Sequence, residues 1–463
     1  MGLELEAEAI LEAALARGGR LAELFLEESS GLSIVMDNGE VEKVIAGQDR
    51  GGGIRLISDD LKTFYAHGNE QSTKALLPLA RDLAGMAGEG APQTPQPSSP
   101  AAPGLLPVVK KPPAEVASAR KIEMVRAAEA AARGVDPRIR QVRVSYLDRV
   151  QRVRIVNSLG VEAQEERTQV VLAVQCVAEQ EGVTQTGYEA IGGLGGLEIL
   201  EAEDPVKAAV AAAKRAILML SARPAPGGAM PVVISSSAGG TMIHEAVGHG
   251  LEADAVVENM SVYAGQLDQQ VASPLISVVD DATLAGRRGS YGFDDEGTPG
   301  RRNLLIDKGV LKCYLNDRLS ALKMESALSG NGRRESYRYR PVPRMSNTMI
   351  LPGEDDPEAI LRQTPEGLFV VKMGGGQVNP VNGDFVFEVS EGYLIKDGRI
   401  TDPVRGATLT GNGPKVLKEI DRVGNDLGFA IGTCGKDGQG APVSDAQPTL
   451  RIPSLVVGGV QQA

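Results

Sequence analysis

TMIHEAVGHGLEAD, residues 241–254, holds two of the chain's three histidines, and Glu245 follows the first of them directly. Neutral imidazoles are good ligands for zinc, which in catalytic sites takes three protein ligands and keeps a fourth position for water. A carboxylate beside such a cluster, not itself a ligand, can take the proton of that water, as in the shorter H-E-x-x-H motif. The stretch is therefore read as a metal-binding element, with His244 and His249 as ligands and Glu245 as general base. The competing reading, a buried helix with two satisfied histidines, suits a lone histidine better than this grouping.

The spacing makes a prediction about backbone. Four residues of an ideal helix advance ~400° and return to the same face, whereas five advance ~500° and leave two imidazoles ~140° apart. A regular helix cannot aim both histidines at one ion. The sequence thus predicts a π-bulge or a helix end near Gly248, where glycine accepts an unusual backbone and brings His249 round.

A third ligand must come from elsewhere, and no further histidine follows. Cys313 alternates with apolar neighbours and reads as part of a strand. Cys434, in AIGTCGKDGQG, stands between Gly432 and Gly435 on an expected loop, with Lys436 nearby to favour the thiolate. A thiolate is an excellent zinc ligand, so Cys434 is preferred over the nearby acids. Metal-bound imidazoles donate their other N–H to a carboxylate or carbonyl, a role open to Glu252 or Asp254.

Working outward, RPAPGGAMP (223–231) is the most linker-like break and divides the chain. Residues 1–222 read as an α+β domain with an antiparallel sheet and helices. Residues 231–463 read as a mostly β domain built around one metal-binding helix. In the first part, residues 3–17 have helical periodicity, and a hairpin turns at Asp37-Asn38-Gly39. Gly51-Gly52-Gly53 reads as a β-turn or bulge, since no Lys-Ser/Thr follows to make a phosphate cradle. His67, alone at a strand end, is assigned a structural role. The proline-rich stretch 87–113 reads as an extended excursion or a mobile loop. Strands then run on either side of Asn157-Ser158-Leu159-Gly160, and Asp204 with Pro205 opens a helix.

The formal net charge of −12 over 463 residues, without a long basic stretch, argues against a nucleic-acid partner. No apolar run reaches the ~18 residues of a membrane span. The acidic, amphipathic start does not resemble a signal peptide, and three widely separated cysteines give no disulfide framework. A cytoplasmic location is expected.

HEAVGHGLEAD, DDEGTPGRR, SGNGRRESYRYRPVPRMSNT, NPVNGDFVFEVSEGYLI, PVRGATLTGNGP and GTCGKDGQ, taken together and in this order, resemble the TldD/PmbA family of metalloproteases, and within it the zinc-bearing TldD branch. The resemblance is dense over residues 230–455 and looser before them, and the proline-rich stretch departs from it. It implies a dimer enclosing a cavity, either a homodimer or a heterodimer with a PmbA/TldE-type subunit that lacks the metal motif. It implies hydrolysis of unfolded peptides, and by motif position it assigns zinc to His244, His249 and Cys434 and the base to Glu245. Tyrosine and arginine in ESYRYRPVPR are eligible as oxyanion stabilisers on residue type alone. An unfolded chain would be held as an added β-strand, because main-chain hydrogen bonds ignore side-chain identity, and Gly374-Gly375-Gly376 marks a possible edge. The alternative is a catalytically quiet scaffold that binds peptides, or a regulatory subunit that binds another protein such as a topoisomerase.

Overall fold

Between Leu21 and Leu194 the chain builds one seven-stranded sheet, antiparallel except for the two-residue strand Ser99–Pro100. The computed structural model describes residues 5–459 apart from 103 and 105. Strand Leu21–Asp37 lies between Glu40–Ile57 and Ile139–Asn157, which is followed across the sheet by Val161–Gln180 and Val183–Leu194. The expected hairpin turns at Asn38 and Gly39, both with positive φ, as a two-residue connection between right-twisted strands demands. Side chains alternate across a strand, so Ile34, Met36, Val142, Val144, Leu172 and Val174 share one buried face. Helices Ser118–Arg133 and Pro205–Ser221 cover that face, and Asp204 caps the second of them through Val206 and Lys207 N–H. Helices Ala7–Ala14 and Thr73–Ala87 cover the other end of the sheet. Residues 3 and 4 of the expected first helix lie outside the described residues.

One expectation for this half needs correction, and another is decided between its two alternatives. Gly51-Gly52-Gly53 makes no turn but runs straight within strand Glu40–Ile57. Its glycines make room: a Cβ on Gly51 would stand 2.2 Å from the Tyr337 ring, and one on Gly53 1.9 Å from the Tyr65 hydroxyl. The described part of the proline-rich stretch is a tethered strap, with Gln96 N–H donating to Ser158 O at 3.0 Å and Gly104 against Gly292. Prolines cannot donate, so the strap is fixed by the few residues between them.

From Arg223 onward the strands join other sheets. Five of them, Glu366–Val378, Gly228–Ile234, Leu450–Gly458, Thr408–Asn412 and Asp384–Lys396, pair in a closed ring, which makes a small barrel. Phe385, Phe387 and Val389 alternate into its core while their neighbours face out. RPAPGGAMP is thus no free linker: Gly228–Ile234 is a barrel strand, and Arg223–Pro224 pairs with Val404 and Arg405. A six-stranded sheet beside the barrel ends in the hairpin Gly428–Lys436 and Gln439–Gln447. Cys313 falls beyond the short strand Val310–Leu311, and Arg318–Met324 is a helix capped by Asp317. The result is a mixed α+β fold with an antiparallel sheet first and a β-rich region after it. Among the described residues no helix is long and apolar enough to cross a membrane.

Candidate metal centre

The metal stretch changes helix type twice in eleven residues. Thr241–Ile243 is α-helical, His244–Gly248 is a π-turn, and His249–Leu251 is a 3₁₀ turn. His249 N–H donates to His244 O, five residues back, so the two histidines stand one above the other on the same side. Their rings lie 5.1 Å apart, centre to centre, and nearly perpendicular. The break predicted from the spacing is therefore present, but it begins at His244, and the glycine serves a different purpose. Gly248 has ordinary helical angles (φ −53°, ψ −54°), and a Cβ there would meet Met345 Sδ at 1.9 Å. Its task is close packing.

The same economy holds around the turn. A Cβ on Gly240 would approach Ala446 N to 2.3 Å, and one on Gly413 would approach Ala246 O to 2.7 Å. Asp445 Oδ1 accepts from Gly240 N–H at 2.9 Å, and the Tyr263 hydroxyl donates to Ala246 O at 3.3 Å. Strand Gln439–Gln447 and the Asn412-Gly413-Pro414 corner thus hold the turn from two sides.

Cys434 arrives on strand Gly428–Lys436, two residues before the hairpin turn, rather than on a loop. Its sulfur lies 3.3 Å from His249 Nε2, and one donor atom each from His244, His249 and Cys434 falls within 4.8 Å of the others. His249 Nδ1 pairs with Glu252 Oε2 at 2.9 Å, which leaves Nε2 to face the sulfur. Glu245, about a quarter exposed at 26%, has a carboxylate oxygen 4.0 Å from His249 Nε2. His244 Nδ1 is buried with no hydrogen-bond partner among the described residues. Two imidazoles and a thiolate converging beside an orphaned ring nitrogen form a donor set that suits zinc.

Burial works against a charge on Cys434, but hydrogen bonds from His244 and His249 outweigh it and hold the thiol down at about 5. The thiolate therefore owes its stability to the histidines and not to Lys436 as the sequence suggests. Lys436 Nζ instead donates to Asp254 Oδ1 at 2.7 Å, Glu252 Oε2 at 3.0 Å and Pro343 O at 3.2 Å. Burial also opposes the Glu252 charge, yet Lys436 and then His249 bring that carboxyl down to about 2. Of the two expected supports, Glu252 holds the ring and Asp254 holds the lysine. Arg344, fully buried, donates to Cys434 O and to Gln439 O, and so grips both arms of the hairpin behind the sulfur. Nothing in its spacing distinguishes it from the neighbouring arginines.

Tyr337 and Arg338 of ESYRYRPVPR, and Arg334 just before it, stand elsewhere. Arg334 bonds Glu23, Tyr337 packs on Phe25, Val153 and Ile155, and Arg338 pairs with Asp49. These join the first sheet to the second half of the chain. DDEGTPGRR meets them there: Asp295 pairs with Arg167 at 2.7 Å, and Glu296 pairs with Arg55.

Comparison with known proteins agrees with this architecture. Residues 22–87, 111–220 and 227–459 match domain 1, the central domain and the C-terminal domain of the PmbA/TldA metallopeptidases. A metalloprotease TldD homolog from Haemophilus influenzae is 37% identical over 95% of this chain and 92% of its own. A zinc metalloprotease TldD homolog from Saccharolobus solfataricus is 29% identical over 70% of this chain and 72% of its own. The crystal structure of TldE from Thermococcus kodakarensis shares the fold, with a TM-score of 0.75, 17% identity, and coverage of 95% of this chain and 97% of that one. The chain belongs to the PmbA/TldD family of metallopeptidases.

Proposed function

We propose that this chain is the zinc-bearing subunit of a peptidase that hydrolyses unfolded peptides, with His244, His249 and Cys434 as ligands and Glu245 as general base. The observation that carries the reading is the convergence of those three donors within 4.8 Å, with the Glu245 carboxylate beside them. The similarity to a protein named a zinc metalloprotease supports the choice of ion. A bound zinc ion would supply a Lewis acid that acidifies water and polarises a carbonyl. Glu245, partly exposed at the edge of the cluster, would take the proton of the attacking water and pass it to the leaving amine. Glu252 orients His249, Lys436 anchors Glu252, and Arg344 holds the strand that carries Cys434. Strand Gly428–Lys436 pairs only with Gln439–Gln447 among the described residues, so its other edge is open to an extended peptide, and we place the substrate there rather than at Gly374.

We further propose that residues 1–222 and 231–463 act as two domains, with the first forming a wall of the substrate space. The active particle would be a dimer, and the fold shared with TldE supports a partner of that type. The test is hydrolysis of a short unstructured peptide by the purified chain with zinc, beside a Glu245→Ala control. Cleavage that vanishes in the control supports the reading. No cleavage, either alone or after addition of a PmbA/TldE-type subunit, defeats it in favour of a scaffold.

A further inference from the structure

A cleft of about 640 Å³ opens between strand Val183–Leu194 of the first sheet, the barrel strand Glu366–Val378, and the start of strand Gly428–Lys436. It reaches Thr241, at the beginning of the metal-bearing helix. Three cations line it, and two are already engaged. Arg215 bonds Glu391 at 2.7 Å and Glu189 at 3.1 Å, and Lys372 bonds Glu189 at 2.9 Å. Arg287 differs. Its guanidinium carbon lies 3.5 Å from the centre of the Phe429 ring, and among the described residues its side chain has no hydrogen bond and no carboxylate within ion-pair distance. The acid that acts on it, Glu203, already accepts from Gly192 N–H at 2.8 Å.

A guanidinium stacked face-on against an aromatic ring is fixed in orientation, and its edge presents a rigid fork of N–H donors. That fork matches a carboxylate in two parallel bonds. Glu203 and Glu388 on the same cleft make a doubly charged phosphate a poorer fit than a singly charged carboxylate. Burial holds the Arg287 guanidinium below its usual range, with Glu203 opposing, so an arriving anion would relieve a desolvated charge. Phe429 and Cys434 lie on one strand, five residues apart. At ~3.3 Å per residue, Phe429 stands ~17 Å along the strand from Cys434, and because an odd separation turns the two side chains to opposite faces, a peptide added at the open edge would meet Arg287 on the face away from the three donors.

We propose that Arg287, seated on Phe429, is a carboxylate subsite of the peptide cleft, holding a carboxylate of the bound peptide about five extended residues from the scissile bond. The carboxylate can be the peptide's own C-terminus or an Asp or Glu side chain. The subsite rests on the peptidase reading, and its test separates the two. Fluorescence anisotropy would measure binding of N-terminally labelled unstructured peptides to the full chain carrying Glu245→Gln. Three versions would be compared: free C-terminus, C-terminal amide, and amide with one internal Glu.

Each would be repeated with Arg287→Gln and Arg287→Lys. A carboxylate should improve affinity roughly tenfold or more. Arg287→Gln should remove that gain and leave the neutral amide within about twofold, while Arg287→Lys should keep part of it. Whether the free C-terminus or the internal Glu gives the gain names its source. Equal affinity for acid and neutral forms, an equal loss for all peptides with Arg287→Gln, or no binding at all would overturn the subsite. Hydrolysis of the neutral amide by the unsubstituted chain without any carboxylate preference would leave the peptidase reading standing alone. A carboxylate preference in binding without hydrolysis would leave the subsite standing and sink the peptidase reading.

Discussion

Two of the buried groups of charged side chains are balanced in opposite ways. Along the seam between the first sheet and the second half, each arginine meets acids: Arg55 with Glu296 and Asp317, Arg167 with Glu165 and Asp295, Arg334 with Glu23. At the candidate metal centre, His244, His249 and Cys434 point their donors at one another, and behind them Lys436 forms conventional ion pairs with Glu252 and Asp254. The seam sets three guanidiniums among five carboxyl groups, so each of its cations is met from within the protein. The candidate metal centre presents two imidazoles and a thiol to one point, and the surrounding pairs hold those donors in place. Burial alone therefore does not mark a functional site; the type of donor facing inward does.

The sharpest break of this contrast is at the seam. Arg334→Met strands Glu23, which is fully buried, and should cost about 3–5 kcal/mol of stability in urea denaturation. Zinc content of the folded fraction should not change, and adding Glu23→Gln should restore part of the loss. A smaller effect is expected at the packing of the metal turn. Gly248→Ala drives a methyl into Met345 Sδ and should cost about 1–3 kcal/mol. Unlike the seam variant, it should also weaken zinc binding, and shortening Met345 should relieve both.

Next in size is Glu252→Gln, which loosens the orientation of His249 and should lower zinc affinity roughly 10–100-fold in a chelator competition. An unchanged affinity would mean that the ring is held by packing instead.

The remaining effect is on pH dependence, where the two groups should act with opposite sign. Glu252 sits at about 2 against an ordinary 4.5, so its contribution to stability is complete above 4.5 and is lost as pH falls through about 2. Glu296 is the reverse. Burial pushes its carboxyl up to about 8 although Arg55 opposes it, with Asp317, Glu23 and Asp294 adding to the rise. Its contribution is complete below 4.5 and is lost as pH rises through about 8. The denaturation midpoint should therefore fall at both ends of the pH range, and Glu296→Gln should flatten only the alkaline side.

Much of the fold was legible because it rests on local signals. The Asn38-Gly39 turn, the alternation in Asp384–Lys396 and the Asp204 cap each depend on a few neighbouring residues. The glycines were not legible in the same way. Gly51, Gly53 and Gly248 look like turn or bulge residues in sequence, yet each is placed where a distant side chain passes: Tyr337, Tyr65 and Met345. Lys436 misled for a related reason, since its neighbour in sequence is Cys434 but its partners are Glu252 and Asp254, over 180 residues away.

The sequence by itself determined the donor types and the helix break. A five-residue spacing between histidines is incompatible with a regular helix, and that follows from helical geometry without knowledge of any neighbour. Only the tertiary structure decided that Cys434 meets His249 across 185 residues, that Glu252 turns the ring, and that Tyr337 and Arg338 join DDEGTPGRR at a seam while Arg344, from the same stretch, backs Cys434. Those outcomes depend on which strand edges and glycine faces come together. Long-range pairing of that kind is set by the summed packing of the sheets and the barrel, and no short stretch of sequence encodes it.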